Sequence, residues 1–88
     1  MKIGYQKIFD LSPSSKKVIE DKYESLDSFY NNVYSKCREW FLAHSQNNVE
    51  DAKKARIDLD VISDWLEENK ITDLVNDILS DFNSDLLL

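Results

Sequence analysis

Apolar and aromatic side chains recur along residues 19–44 in alternating steps of four and three: Ile19, Tyr23, Leu26, Tyr30, Val33, Cys37, Trp40 and His44. An α-helix turns once every 3.6 residues, so this alternation keeps all of them on one side of a helix; a strand would need alternation by two. Ser12-Pro13 marks the start, because serine caps free backbone N–H groups and proline suits the first helical position. The pattern predicts a first helix over residues 12–45, about 50 Å long at 1.5 Å per residue. Asn31-Asn32 is the one break the residue types offer, since asparagine tolerates helix ends. The stripe passes through that point in phase, so one continuous helix is expected, with a break there as the alternative.

Ser45-Gln46-Asn47-Asn48 reads as a turn. Asn48 then caps a second helix, residues 48–69, with Glu50 and Asp51 in the first turn, where the helix dipole favours acids. Its core stripe is Ala52, Ala55, Leu59, Ile62 and Leu66. Asn69-Lys70 ends it. Thr72 is the expected cap of a third helix, residues 72–86, striped by Ile71, Leu74, Val75, Ile78, Leu79, Phe82 and Leu86. Leu86 to Leu88 are expected to fray. Residues 1–11 read as an arm packed by its aromatics, with Gly4 discouraging a helix there.

Short turns make neighbouring helices antiparallel. The expected fold is therefore all-α: a small antiparallel bundle of three principal helices, one domain over residues 1–88. The long first helix is its spine, and a break at Asn31-Asn32 would give four. A single glycine and a single proline in 88 residues support helices over sheets and their tight turns. Hydrophobic residues at 42% and charged residues at 32% place the chain among folded domains rather than disordered segments.

Charge changes the picture. Residues 1–48 carry a net +1, residues 49–70 a net −3 and residues 71–88 a net −4, which together give the formal −6. An acidic C-terminal half disfavours contact with a nucleic-acid backbone, and it rules out residues 73–86 as the recognition helix of a DNA reader. It suits a basic partner protein. A lone cysteine, Cys37, no secretory signal and no apolar run near membrane-spanning length lead to a cytoplasmic expectation.

Candidate chemistry is sparse. His44 is the only histidine and lies seven residues from Cys37, too far for a thiolate–imidazole pair. Asp58 and Asp60 resemble the start of a calcium loop but lack its glycine and closing glutamate. No catalytic residue, metal ligand or cofactor site emerges, and the chain is expected not to be an enzyme. Two features point to a partner instead. Ile57, Val61 and Trp65 form a second apolar row on the second helix, where one stripe would suffice for a bundle. Burial under the arm, a second copy or a partner would satisfy it, and tryptophan is a common interface anchor. Asp73, Asp77, Asp81 and Asp85 stack at a spacing of four into an acidic ridge, either a solvated face or a docking strip for lysine and arginine.

The functional expectation is a non-catalytic acidic helical protein that binds another protein. Size and charge resemble those of inhibitors, immunity-type proteins and phage-encoded regulatory factors. Abundant Asn, Lys and Ile with little Ala and Gly hint at an A+T-rich bacterial or phage genome. The alternatives are an obligate homodimeric or structural subunit, and an acidic mimic of nucleic acid that blocks a nucleic-acid-binding protein.

Overall fold

The computed structural model describes residues Lys2 to Leu86 and is helical throughout, with no strand among them. Its helices are α1 (Ile3–Phe9), α2 (Pro13–Tyr23), α3 (Leu26–Ser45), α4 (Val49–Glu68) and α5 (Leu74–Leu86). Of the terminal leucines expected to fray, Leu86 closes α5, and Leu87 and Leu88 lie outside the described residues.

The expected long first helix is two helices. It breaks at Glu24-Ser25, not at Asn31-Asn32, which sit in mid-α3. Glu24 takes a positive φ of 73°, which ends α2. Ser25 turns extended, and its Oγ accepts the Ser28 N–H at 3.0 Å, which starts α3. Asp27 joins it in the first turn, where the dipole favours it. The in-phase stripe hid this break, because a two-residue corner returns the apolar side chains to the same core. The longest dimension of the fold is 41 Å, shorter than the rod of about 50 Å that an unbroken helix would make.

Local capping explains most of the other boundaries. Ser12 Oγ accepts from Ser15 N, and Asn48 Oδ1 accepts from Asp51 N. The cap of the last helix is Asp73 rather than Thr72: its Oδ1 accepts the Val75 N–H at 3.1 Å. Helices α3 and α4 end alike. Asn48 N–H reaches back to Ala43 O and Asn47 N–H to His44 O; Ile71 N–H reaches Leu66 O and Lys70 N–H reaches Glu67 O. This double bond pattern requires one left-handed residue, here Asn47 (φ 56°) and Lys70 (φ 59°). At the second turn the lysine takes that conformation, while Asn69 stays at φ −94°.

Helices α3 and α4 form an antiparallel hairpin of two 20-residue rods. Returning along them, α5 runs parallel to α3, with Tyr30 beside Asp81 and Tyr34 beside Asp85. Every helix sends at least one fully buried side chain to the shared core: Ile8, Ile19, Phe29 and Val33, Leu59 and Leu66, Leu74 and Ile78.

The arm is a helix, and Gly4 lies inside it. Helix α1 runs antiparallel along α5, with Gly4 pressed against the α5 backbone. A Cβ on Gly4 would stand 2.8 Å from the Asp77 carbonyl carbon and from Ile78 N. Helix propensity disfavours glycine, but this close approach admits nothing larger. Gly4→Ala should therefore lower stability by about 1–3 kcal/mol, against the gain propensity alone would give. Urea denaturation followed by circular dichroism measures it. A raised midpoint would show that α1 does not pack this closely.

Candidate functional site

The acidic ridge is largely spent inside the molecule. Helices α2 to α5 all begin with a side-chain cap, but the Lys2 side chain gives α1 none. The free amides of α1 are met from α5 instead. Asp81 is 2% exposed. Its Oδ1 accepts Gly4 N–H at 3.1 Å, and its Oδ2 accepts Tyr5 N–H at 3.1 Å and the Tyr30 hydroxyl at 3.0 Å. A carboxylate at a helix N-terminus also gains from the dipole, most where water is excluded. Either side of Asp81, Lys7 Nζ lies 3.0 Å from Asp77 and Lys2 Nζ lies 3.8 Å from Asp85. The Tyr34 hydroxyl donates to Asp85. Asp73 holds the start of α5 and accepts from Ser63 and Asn76 as well.

So the ridge takes up lysines, but those of the chain's own N-terminal segment, Lys2 and Lys7. Asp81 is not available to a partner, and Asp73, Asp77 and Asp85 are already engaged. The sequence shows Lys2, Gly4 and Lys7 plainly, but nothing local pairs them with residues some seventy positions away.

These contacts perturb the phenols they involve. Burial, and then the hydrogen bond to Asp81, holds Tyr30 protonated well above the usual tyrosine range. The hydrogen bond to Asp85, with burial behind it, pushes Tyr34 up to about 12. On the exposed side, Tyr5 donates to Asp27 at 2.9 Å, which also raises its pKa.

The second apolar row has a different fate. The arm does not cover it, because α1 lies on α5. Ile57 is 61% exposed and Val61 60%. Val49, two turns before Ile57 on the same row, is 61% exposed. These are the most exposed large apolar side chains among the described residues. Trp65 is half-buried: the Tyr23 ring meets it edge-on at 5.8 Å, and Lys22 Nζ lies 5.0 Å from its centroid. The row thus runs Val49, Lys53, Ile57, Val61, Trp65 at a spacing of four, turned away from the core stripe of α4. Lys53 interrupts its apolar character, which is why the sequence shows only the C-terminal part of it.

Charge along this face is polarised. Lys53, Lys54 and Arg56 share its N-terminal half with Glu50 and Asp51, whereas Asp60, Asp64, Glu67 and Glu68 stand without a cation in its C-terminal half, all exposed. Arg56 pairs with Asp60 at 3.3 Å. Beside the face, the end of α3 and the start of α4 enclose a half-open groove of about 370 Å³, lined by Trp40, His44, Val49, Ala52 and Arg56. The Arg56 guanidinium lies 5.8 Å from the Trp40 ring.

Other chemistry does not converge. Cys37 is buried, and burial pushes its thiol up to about 11, which leaves it an unreactive apolar filler at neutral pH. His44 is exposed and edge-on to Trp40. Among the described residues no three His, Cys, Asp or Glu side chains could share a metal ion, and no helix is long and apolar enough to cross a membrane. Comparison with protein families, with curated proteins and with solved structures finds no match to this chain.

Asp81→Asn keeps the size but replaces one acceptor oxygen with a donor aimed at an N–H or O–H group. It should cost about 2–3 kcal/mol in urea denaturation, and hydrogen exchange in α1 should rise before that of α4. An unchanged midpoint would mean that Asp81 does not hold α1. The phenols set the alkaline behaviour. Their pKa values in the fold exceed the ordinary 10.0. Above pH 10 the unfolded chain therefore sheds protons that the native state keeps. Their stabilisation is complete below that pH and is lost as pH rises through the raised values. The denaturation midpoint should fall between pH 10 and 12, and Tyr34→Phe should flatten the fall. Absorbance at the phenolate band checks the titration directly.

Proposed function

We propose that this protein is a non-catalytic binding module and that the outward face of α4 engages another protein. The observation that carries the reading is the row Val49, Ile57 and Val61, three apolar side chains left in water at one-turn and two-turn intervals on one helix. Covering such side chains returns roughly 25 cal/mol per Å² of apolar surface, so a row with no cover in the fold is a store of binding energy. Trp65, held by Tyr23 and Lys22, anchors its far end, where a partly buried aromatic suits a binding centre. With the ridge of α5 bound to α1, the apolar row replaces it as the principal contact.

A small acidic protein with one such face and no convergent chemistry fits the class of inhibitors, immunity-type proteins and phage-encoded regulatory factors, which act by occupying a surface. The buried, unpaired thiol of Cys37 suits a reducing cytoplasm. The reading of a nucleic-acid mimic is the less favoured alternative, because Asp81 is buried against α1 and Asp77 and Asp85 pair with Lys7 and Lys2.

Photo-crosslinking tests the face. A photoreactive amino acid placed at position 57 or 61 should give a discrete protein adduct in the host lysate, and one at exposed Ser84 should give none. Equal labelling from all three positions, or none from any, would remove this reading.

A further inference from the structure

We infer that the partner of the α4 face is a second copy of this chain, packed α4 against α4 in antiparallel fashion. The inference rests on the face reading above and adds the identity of the occupant. It follows from the distribution of charge along the helix. In a parallel pair, Lys53 and Lys54 would meet their own copies, and so would Asp64 and Glu68. An antiparallel pair instead sets Lys53 and Lys54 of each helix against the acidic C-terminal half of the other.

The spacing makes the match specific. Ile57 and Val61 stand equally far from position 59. A two-fold axis passing level with that position brings both, with their symmetry mates, into one central apolar layer. At about 100° per residue, Lys53 and Asp64 lie along one edge of this layer, Lys54 and Trp65 along the other. The two-fold keeps each edge on its own side and reverses its direction. Lys53 then meets Asp64 of the second copy, and Lys54 meets its Trp65, whose ring is only partly covered. Both contacts occur twice. Among the described residues none of Lys53, Lys54 and Asp64 forms an ion pair within the chain, so all are free for this use. Two like-charged meetings remain: Glu50 opposite Glu68 at the exposed ends, where water screens it, and Asp60 beside its own copy near the axis, where Arg56 of each chain offsets it.

The footprint is one helix of 20 residues, about 30 Å by 10 Å. That is well below the roughly 800 Å² per partner of a standard interface, so the dimer should be weak and exchange readily with monomer.

Sedimentation equilibrium over about 1 μM to 1 mM tests the inference. The mass should rise towards twice the 10.3 kDa of one chain. Ile57→Asp with Val61→Asp should hold it at the single-chain value, with circular dichroism unchanged because both residues point outward. Lys53→Glu alone and Asp64→Lys alone should each weaken association roughly three- to tenfold, since each removes two ion pairs and adds like charges. Combined in one chain, they should restore it. Asp64→Lys is the sharper arm: it lowers the net charge from −6 to −4, so non-specific repulsion would fall and association would tighten. Weakening therefore reports the pairing itself. A single-chain mass at every concentration, or no restoration in the double variant, overturns the inference. If the position-57 adduct is then a different protein, the face reading survives without self-association; if there is no adduct, both fall.

Discussion

Asp81 closes the fold by lying between the first helix and the last. A seven-residue helix has little stability of its own, since its nucleation cost is spread over few bonds. Its first amides need acceptors, and Lys2 supplies none from its side chain. The Asp81 carboxylate meets two of these amides and the Tyr30 hydroxyl together. A buried charge with only one partner would cost more than it returned; with three donors and a helix dipole directed at it, the balance reverses. Gly4 makes the arrangement feasible, because only a residue without Cβ lets the two backbones come close enough. Ile8 then reaches the core, and Tyr5 packs edge-on against Tyr30 at 5.0 Å.

The helical character, the hairpin of α3 and α4 and the core stripe of α4 were legible because each rests on local information. Caps and periodicity act within a few residues. Asn48 and the Leu59, Ile62, Leu66 stripe state their roles in sequence. The break at Glu24-Ser25 was readable in principle: a serine followed by an acidic residue is a helix start. A stripe that stays in phase across the corner masks it. The helical arm is hidden for the opposite reason. Nothing near Gly4 favours a helix, and the residue that stabilises one there lies 77 positions away.

The same distinction separates the two halves of the candidate site. Ile57, Val61 and Trp65 were visible as a surplus over what a bundle requires, and the structure leaves the first two in water and half-covers the third. The aspartate ridge was visible as a pattern, but its meaning was not. A four-spaced ridge with no lysine after Lys70 looks unbalanced when α5 is considered alone. Balanced against Lys2, Lys7 and the amides of α1, it is a docking strip within one chain. Periodicity reports that a face exists; only topology reports what lies on it.

The span between Gly4 and Asp81 also orders assembly in time. Closing a loop of that length has a large entropic cost, whereas the α3–α4 hairpin needs only neighbours. The hairpin can therefore collapse early, while α1, although it precedes α5 in the chain, stays unsecured until residues 74–86 have been made. In the finished molecule α1 depends on α5, whereas α5 is also held by α3 and α4, so a protease that nicks α5 releases α1 as well.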